Sequence, residues 1–491
     1  MSKRIVAVAA MAVGAILVGR SAVEPDRTIA DRHEPRDQAA MTREGRAMMK
    51  RACTAVTLVA LLVCSSTTAG ADVVLEWNAI AVSTLVGQGQ NPFAQARFMA
   101  ITQLAVFEAV NAITGDYKPY LGTVVAPMGA SADAAAVAAA YHVLKNYFPL
   151  APNLDPAYAA SLALIPDGSA KSGGIATGEA AAAQMIAQRI GDGSSPPQFY
   201  LPASTAPGVW QLTPSCPAAG GVGFQWQNIT PFGVPSTPGS HAWIAQFAPG
   251  PPPALTSNRY ARDYNEVKRV GNISSDLTDR PQDRADVARF YAASSPSFVF
   301  NLAAREVAAA QDTSLSVNAR ALALLNMASN DSLVASFWIK YHYTFWRPET
   351  AIFDGALDSN AKTDLDVTFK PYILTPCFPS YPSNHGSASN SAAEILRRVY
   401  GEGGHAITMA SPGVPGLTFF YTRFDQITND ISDARVYGGI HFRFDQEAGA
   451  DLGRDIGMYV YKHNLRRATH SDSDDEDDND DGHDGRSHRR D

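Results

Sequence analysis

Three short segments in the C-terminal half carry side chains that could do chemistry together. They are Lys340-Tyr-His-Tyr-Thr-Phe-Trp-Arg347-Pro348, Tyr381-Pro-Ser383-Asn384-His385-Gly386, and Arg435-Val-Tyr-Gly-Gly-Ile-His441 with Asp445 four residues further on. Between them they offer three permanent cations, a hydroxyl, a loop rich in backbone donors and two imidazoles. A multiply charged oxide needs a donor for each equatorial oxygen and enough positive charge to offset its desolvation. Arginine supplies a planar fork and lysine a compact point charge. The set suits a tetrahedral or trigonal-bipyramidal oxyanion, phosphate or its look-alike vanadate.

Each segment has a plainer reading beside this one. Lys340 and Arg347 are seven apart, which on a helix sets both on one stripe facing one pocket, and Pro348 biases Arg347 out of the helical region and should end the helix there. The alternative is an exposed basic face beside aromatic core residues. Pro382-Ser383-Asn384-His385-Gly386 reads as a turn entering a small-residue helix that ends near Tyr400 and Gly401. A helix N-terminus presents unpaired N–H groups and partial positive charge to an anion. Ser383 could give its hydroxyl to that anion while His385 carries a proton beside it, or Ser383 or Asn384 serves only as an N-cap. Asp445 would take one ring N–H of His441 on a shared helix face, leaving the other nitrogen as nucleophile or metal ligand. Gly438 and Gly439 loosen the chain so that Arg435 and His441 can reach one point. A lone His-x-x-x-Asp is more often structural, but packing alone does not account for all three segments in this order.

The elements that must position these residues read as helices. Phe93–Thr114, Ser131–Tyr147, Gly173–Ile190, Ala261–Gly271, Pro281–Ser294, Leu302–Ala310, Ser316–Tyr343, Gly386–Val399 and Val436–Asn464 show apolar residues spaced by three and four in alanine-rich sequence. An all-α helical bundle follows, with catalytic side chains projecting inward from facing helices and loops. The stretch from Ser194 to Pro253, loaded with Pro, Gly, Ser and Trp, is long for a connection inside a compact protein. It either lines a substrate entrance or wraps the surface. His342, His405 and His142 read as structural.

At this point the residues resemble a known family. Lys-x6-Arg-Pro, then Pro-Ser-x-His, then Arg-x5-His is similar to the vanadium-dependent haloperoxidases, whose superfamily also holds type 2 phosphatidic acid phosphatases and bacterial acid phosphatases. Phe345-Trp346-Arg347-Pro348 and Phe378-Pro-Ser-Tyr-Pro-Ser383 look like the haloperoxidase branch. So do Ala94–Ile101, Phe107–Ile113, Pro207-Gly-Val-Trp210, Pro231-Phe232 and the segment from Arg280. The likeness runs from about Asp72 to Arg466. It implies two packed four-helix bundles with one active site in the second half.

The resemblance also implies roles. His441 would be the axial vanadium ligand, and Lys340, Arg347, Ser383 and Arg435 would bind the equatorial oxygens, joined by the backbone N–H of Asn384. His385 would be the acid–base group, Asp445 would orient His441, and Phe378 lies where halide preference is tuned. Asn384 stands where the family usually has glycine, and asparagine tolerates left-handed backbone angles better than most residues. The activity so implied is vanadate-dependent oxidation of halide by hydrogen peroxide to hypohalous acid, which halogenates a small organic acceptor. A soluble acid phosphatase working through a phosphohistidine uses the same charge pattern with phosphate in place of vanadate. An inactive anion-binding relative is the third reading.

Composition bounds the rest. With 491 residues and 46% hydrophobic content, the chain can bury a large core. The end from Ser471 to Asp491 holds ten acidic and three basic residues, so seven of the eight net negative charges sit there; this reads as a solvated acidic tail. Nothing basic enough for nucleic acid is present, and no glycine-rich dinucleotide fingerprint. Near the start, Ala52 to Val63 follows basic residues and precedes Ala69-Gly70-Ala71, the pattern of an export signal; neither it nor Ile5 to Val18 is long enough for a comfortable membrane span. The expected organisation is a leader over residues 1–71, a helical catalytic domain over 72–466 and a disordered tail over 467–491, with export to the periplasm or outside the cell. Cys216 and Cys377 remain in the mature chain and could pair there.

Overall fold

The computed structural model describes residues 72–468; the expected leader and the acidic run lie outside the described residues. In chain order the helices are α1 (Val73–Gly87), α2 (Pro92–Thr114), α3 (Ala132–Tyr147), α4 (Leu154–Ala163), α5 (Ser169–Gln188), α6 (Asn258–Val270), α7 (Gln282–Ala293), α8 (Pro296–Gln311), α9 (Leu315–Tyr343), α10 (Pro348–Phe353), α11 (Asn384–Tyr400), α12 (Phe424–Tyr437) and α13 (Arg443–His463). A single antiparallel hairpin, β1 (Gly403–Ala410) with β2 (Thr418–Arg423), pairs Ile407 with Tyr421 and lies between α11 and α12. The described residues are therefore helical with one hairpin. The hairpin was not legible as such, although His405-Ala-Ile-Thr-Met alternates and its burial alternates with it.

The long helix α9 lies at the centre of the described fold. It packs against α2 on one side and against α11 and α13 on the other, while α2, α3 and α5 pack among themselves. A helix buried nearly all round must satisfy its polar side chains internally. Asn326 bonds Asn301 of α8 at 2.9 Å, and Asp331 accepts the N–H groups of Phe232, Gly233 and Val234 at 2.7, 2.7 and 3.2 Å. Those bonds tie the long irregular connection to the core. The same connection also pairs with the chain after α9: Trp210 N–H donates to Thr344 O at 2.7 Å and Trp346 N–H to Gly208 O at 2.9 Å. It wraps, and it braces the segment that carries Arg347.

The seam between α11 and α13 is built from small residues at every fourth position. Gly449, Gly453 and Gly457 face Ser383, Ser387 and Ser391, so closely that a Cβ on Gly453 would lie 2.1 Å from Ser387 O. Backbones in such contact hold the start of α11 against the start of α13. Among the described residues one helix, Pro92–Thr114, is long and apolar enough to cross a membrane by length and composition, and its most apolar window is 83% buried in the fold, as a core helix would be.

Two expected elements differ from those found. The helix of the first segment ends at Tyr343, as its apolar spacing predicts, and not at Arg347, where Pro348 suggested the stop: Thr344 takes a left-handed conformation with φ 47° as its cap. Lys340 and Arg347 therefore sit on different elements. The expected helix Val436–Asn464 is two helices, α12 and α13, broken over residues 438–442. Gly439 has φ +80°, and a Cβ there would lie 2.3 Å from Gly271 O, so the close crossing with the Gly271 segment requires glycine and forces the break.

Candidate active site

Arg347 is delivered by the end of α9 and the start of α10. Its backbone is extended, as the following proline demands, and Pro348 opens α10. The side chain is fully buried. Its Nε donates to Phe378 O at 2.8 Å and its Nη1 to Ile440 O at 2.9 Å. The same Nη1 lies 2.9 Å from His441 Nε2, while Nη2 has no partner among the described residues.

Lys340 approaches from α9. Its ammonium donates to the carbonyls of Pro379 at 2.9 Å, Ser380 at 2.7 Å and Pro382. All three N–H groups therefore clamp the turn that leads into α11, and what Lys340 offers beyond the clamp is its charge. The Phe378 ring lies under both cations, 5.4 Å from Lys340 Nζ and 5.0 Å from Arg347 Cζ. Phe378 follows Cys377, and Cys377 is joined to Cys216 by a disulfide with an S–S distance of 2.09 Å, the pairing the sequence allowed.

Ser383 is the N-cap of α11: its Oγ accepts from Gly386 N–H at 3.1 Å, and its own N–H donates to Asp445 O at 2.9 Å. The cap reading is correct, and the hydroxyl hydrogen is left to donate elsewhere. Asn384 is the first residue of the helix and is not among the left-handed residues, so left-handed tolerance is not what asparagine contributes. His385 follows, half-buried, and its ring makes no hydrogen bond among the described residues.

His441 lies just before α13, not on it, so its pairing with Asp445 is a helix-start arrangement and not a shared helix face. Its Nδ1 is 2.8 Å from Asp445 Oδ2. That carboxylate oxygen also accepts from Phe442 N–H at 3.1 Å and from Ser380 Oγ at 2.5 Å, while Oδ1 has no partner among the described residues. Ser380 was missed by sequence reasoning; its only signal was a hydroxyl in the turn that holds Ser383. Arg435, on the last turn of α12, is buried, with Nη1 3.4 Å from Tyr291 O and Nε without a partner among the described residues.

The electrostatics record the convergence. Burial, then Arg347, holds the Lys340 amine well below its usual range. Burial, then Arg435, Lys340 and Arg347, does the same to His385. Burial, then the same cations led by Arg347, lowers His441. Burial pushes Arg347 down to about 9 and Arg435 to about 10, and pushes Asp445 up to about 6. Three cations thus share one buried carboxylate and two imidazoles that stay neutral, an excess of positive charge in low dielectric. Arg347 Nη2, Arg435 Nε and Asn384 Nδ2 are buried donors without partners among the described residues. This donor set fits an oxyanion. His342 is outside it, exposed and stacked 5.0 Å from Trp338. His405 bonds Gly401 O at 3.1 Å and His142 lies 3.2 Å from Glu179.

Comparison with known proteins supports the same fold. Residues 320–470 match the family described as the VCPO second helical-bundle domain. Over 93 residues the chain is 30% identical to the vanadium chloroperoxidase of Curvularia inaequalis, a stretch spanning 17% of this chain and 14% of that protein. A crystal structure of a bacterial vanadium-dependent iodoperoxidase superposes with a TM-score of 0.67 at 23% identity, covering 80% of this chain and 97% of that one. An apo-type bacterial vanadium-dependent chloroperoxidase gives 0.60 at 17% identity, covering 75% and 92%. The chain therefore has the fold of the vanadium-dependent haloperoxidases, and its residues 320–470 match the second helical-bundle domain described for that family.

Proposed function

We propose that this protein is a vanadium-dependent haloperoxidase that uses hydrogen peroxide to oxidise halide to hypohalous acid. The observation that carries the reading is the buried excess of positive charge around a neutral imidazole, with three donors unpartnered among the described residues. His441 Nε2 would hold vanadate, since Asp445 keeps the ring proton on Nδ1. Arg347, Arg435, the Ser383 hydroxyl and the Asn384 N–H would hold its oxygens, with Lys340 adding charge. Bound vanadate supplies a Lewis acid that polarises peroxide.

The chain's own residues do the remaining work. Arg347 and Arg435 offset the charge of the oxyanion; Arg347 Nη1, which occupies the His441 Nε2 lone pair in this structure, would hand it over to the anion as it binds. His385 is neutral in the field of the three cations. An anion among them would weaken that field and bring the imidazole closer to the range in which it takes and returns a proton. Phe378 excludes water from the face of both cations and is the residue that would tune halide access. The organic acceptor would meet the site from the half-exposed His385 side.

The same His441–Asp445 pair could instead present Nε2 as a nucleophile to phosphate, with His385 protonating the leaving alkoxide. The test is one preparation assayed twice: halogenation of an organic acceptor with vanadate, peroxide and each halide, and hydrolysis of a phosphomonoester without vanadate. Halogenation alone is the expected result. Hydrolysis alone would make the protein a phosphatase, and neither activity an inactive anion-binding relative. The Cys216–Cys377 disulfide supports export to an oxidising compartment.

A further inference from the structure

Asn384 carries more than the main-chain N–H its position implies. It is 4% exposed, and its Oδ1 accepts a hydrogen bond from Ser336 Oγ at 2.6 Å. That bond fixes the amide plane, leaving Nδ2 as the free branch. Ser336 is four residues before Lys340 on α9, one turn away on the same face. The ammonium of Lys340 grips the carbonyls of Pro379, Ser380 and Pro382, the turn that delivers Asn384. The amide therefore sits on the face of α9 that meets the cation cluster. Nδ2 is buried and has no partner among the described residues. A buried amide donor left unpaired is a standing cost, and a ligand that completes it is one way such a group is kept.

Main chain and side chain point to the same use. The first N–H groups of a helix have no partner within it. In α11 Ser383 Oγ takes that of Gly386 and Ser383 O that of Ser387. The N–H groups of Asn384 and His385 remain at the mouth of the helix.

We propose that Asn384 is an additional oxyanion-binding residue, its Nδ2 donating a hydrogen bond to one oxygen of the bound anion beside the donors of Arg347 and Arg435. The inference rests on the oxyanion reading of the site. It adds a neutral, short and rigid donor where a glycine could offer only its backbone. Ser336 is then a positioning residue, holding the amide with Nδ2 turned away from α9.

The test is the affinity of the purified chain for orthovanadate and, separately, for inorganic phosphate by titration calorimetry, without peroxide or halide. Asn384→Ala and Asn384→Gly should each weaken both anions about five- to tenfold, as loss of one buried hydrogen bond would. Ser336→Ala, which frees the amide but keeps Nδ2, should weaken them by about half as much in logarithmic terms. Thermal melts without anion separate a structural role, in which the Asn384 and Ser336 variants lose stability alike and keep wild-type affinity. Wild-type affinity in any one folded Asn384 variant would overturn the proposal, whether or not the other variants fold. A wild-type chain that binds neither anion would overturn the oxyanion reading and this inference together, whereas wild-type binding equalled by the Asn384 variants would overturn this inference alone.

Discussion

Arg347 Nη1 and His441 Nε2 lie 2.9 Å apart. A guanidinium can only donate, so Nε2 must present its lone pair and the ring proton must sit on Nδ1, where Asp445 Oδ2 accepts it at 2.8 Å. The tautomer of the candidate ligand is thus fixed from both sides before any anion arrives.

Asp445→Asn tests that arrangement. The variant amide can donate to Nδ1 and favour the other tautomer, in which Nε2 carries the proton and cannot ligate. Nitrogen NMR of His441 should report the switch, and vanadate affinity should fall about 10–100-fold, the usual cost of losing the group behind a histidine ligand. An unchanged tautomer and affinity would show that Asp445 does not orient the ring.

The glycine seam should be intolerant of a methyl group. Gly453→Ala would place a Cβ 2.1 Å from the carbonyl oxygen of Ser387, which only separation of α11 from α13 relieves. A loss of about 1–3 kcal/mol in denaturant-monitored stability is expected, with weaker vanadate binding because Ser383 and Asp445 are carried on the two sides of that seam. Wild-type stability would mean that the two helices are not held at this distance.

How far the sequence foretold the site can be argued from these residues. Lys340, Arg347, Ser383, His385, Arg435, His441 and Asp445 were readable because charge and hydroxyl chemistry is carried by residue type, and the structure brings them together. Their placement was less readable. Spacing alone put Lys340 and Arg347 on one stripe, but the left-handed Thr344 ends α9 between them. A continuous helical pattern hid the break at Gly439, which a close crossing with Gly271 imposes and no local propensity announces. Gly449, Gly453 and Gly457 read locally as weak helix formers; their use appears only when a second helix lies against them. Ser380 looked like an ordinary turn residue until Asp445 arrived from 65 positions away.

The disulfide couples stability to the site. Cys216 and Cys377 close a separation of 161 residues, for which chain-entropy arguments give up to about 5 kcal/mol. Cys377 precedes Phe378, whose carbonyl accepts from Arg347 Nε. Replacing both cysteines with serine should lower the thermal midpoint and also weaken vanadate binding. Retained affinity with lost stability would uncouple the cross-link from the site.

Asp331 gives a pH dependence whose sign can be stated. Burial pushes its carboxyl up to about 6 from 3.8, against the lowering effect of the Phe232 and Gly233 N–H groups. The folded state therefore binds this proton more readily than the unfolded state between those values. Its contribution favours folding below about 3.8 and is lost as pH rises through about 6, by about 3 kcal/mol in all. Asp331→Asn should remove this slope from a plot of urea stability against pH. An unchanged slope would assign the pH dependence to other groups.

The most direct measurement is vanadium bound per chain after incubation with vanadate and gel filtration, for the wild type and for His441→Ala. One vanadium per wild-type chain and none retained by the variant are expected, with the variant's fold intact by circular dichroism. Wild-type protein that retains none, or a variant that retains as much, would contradict that expectation.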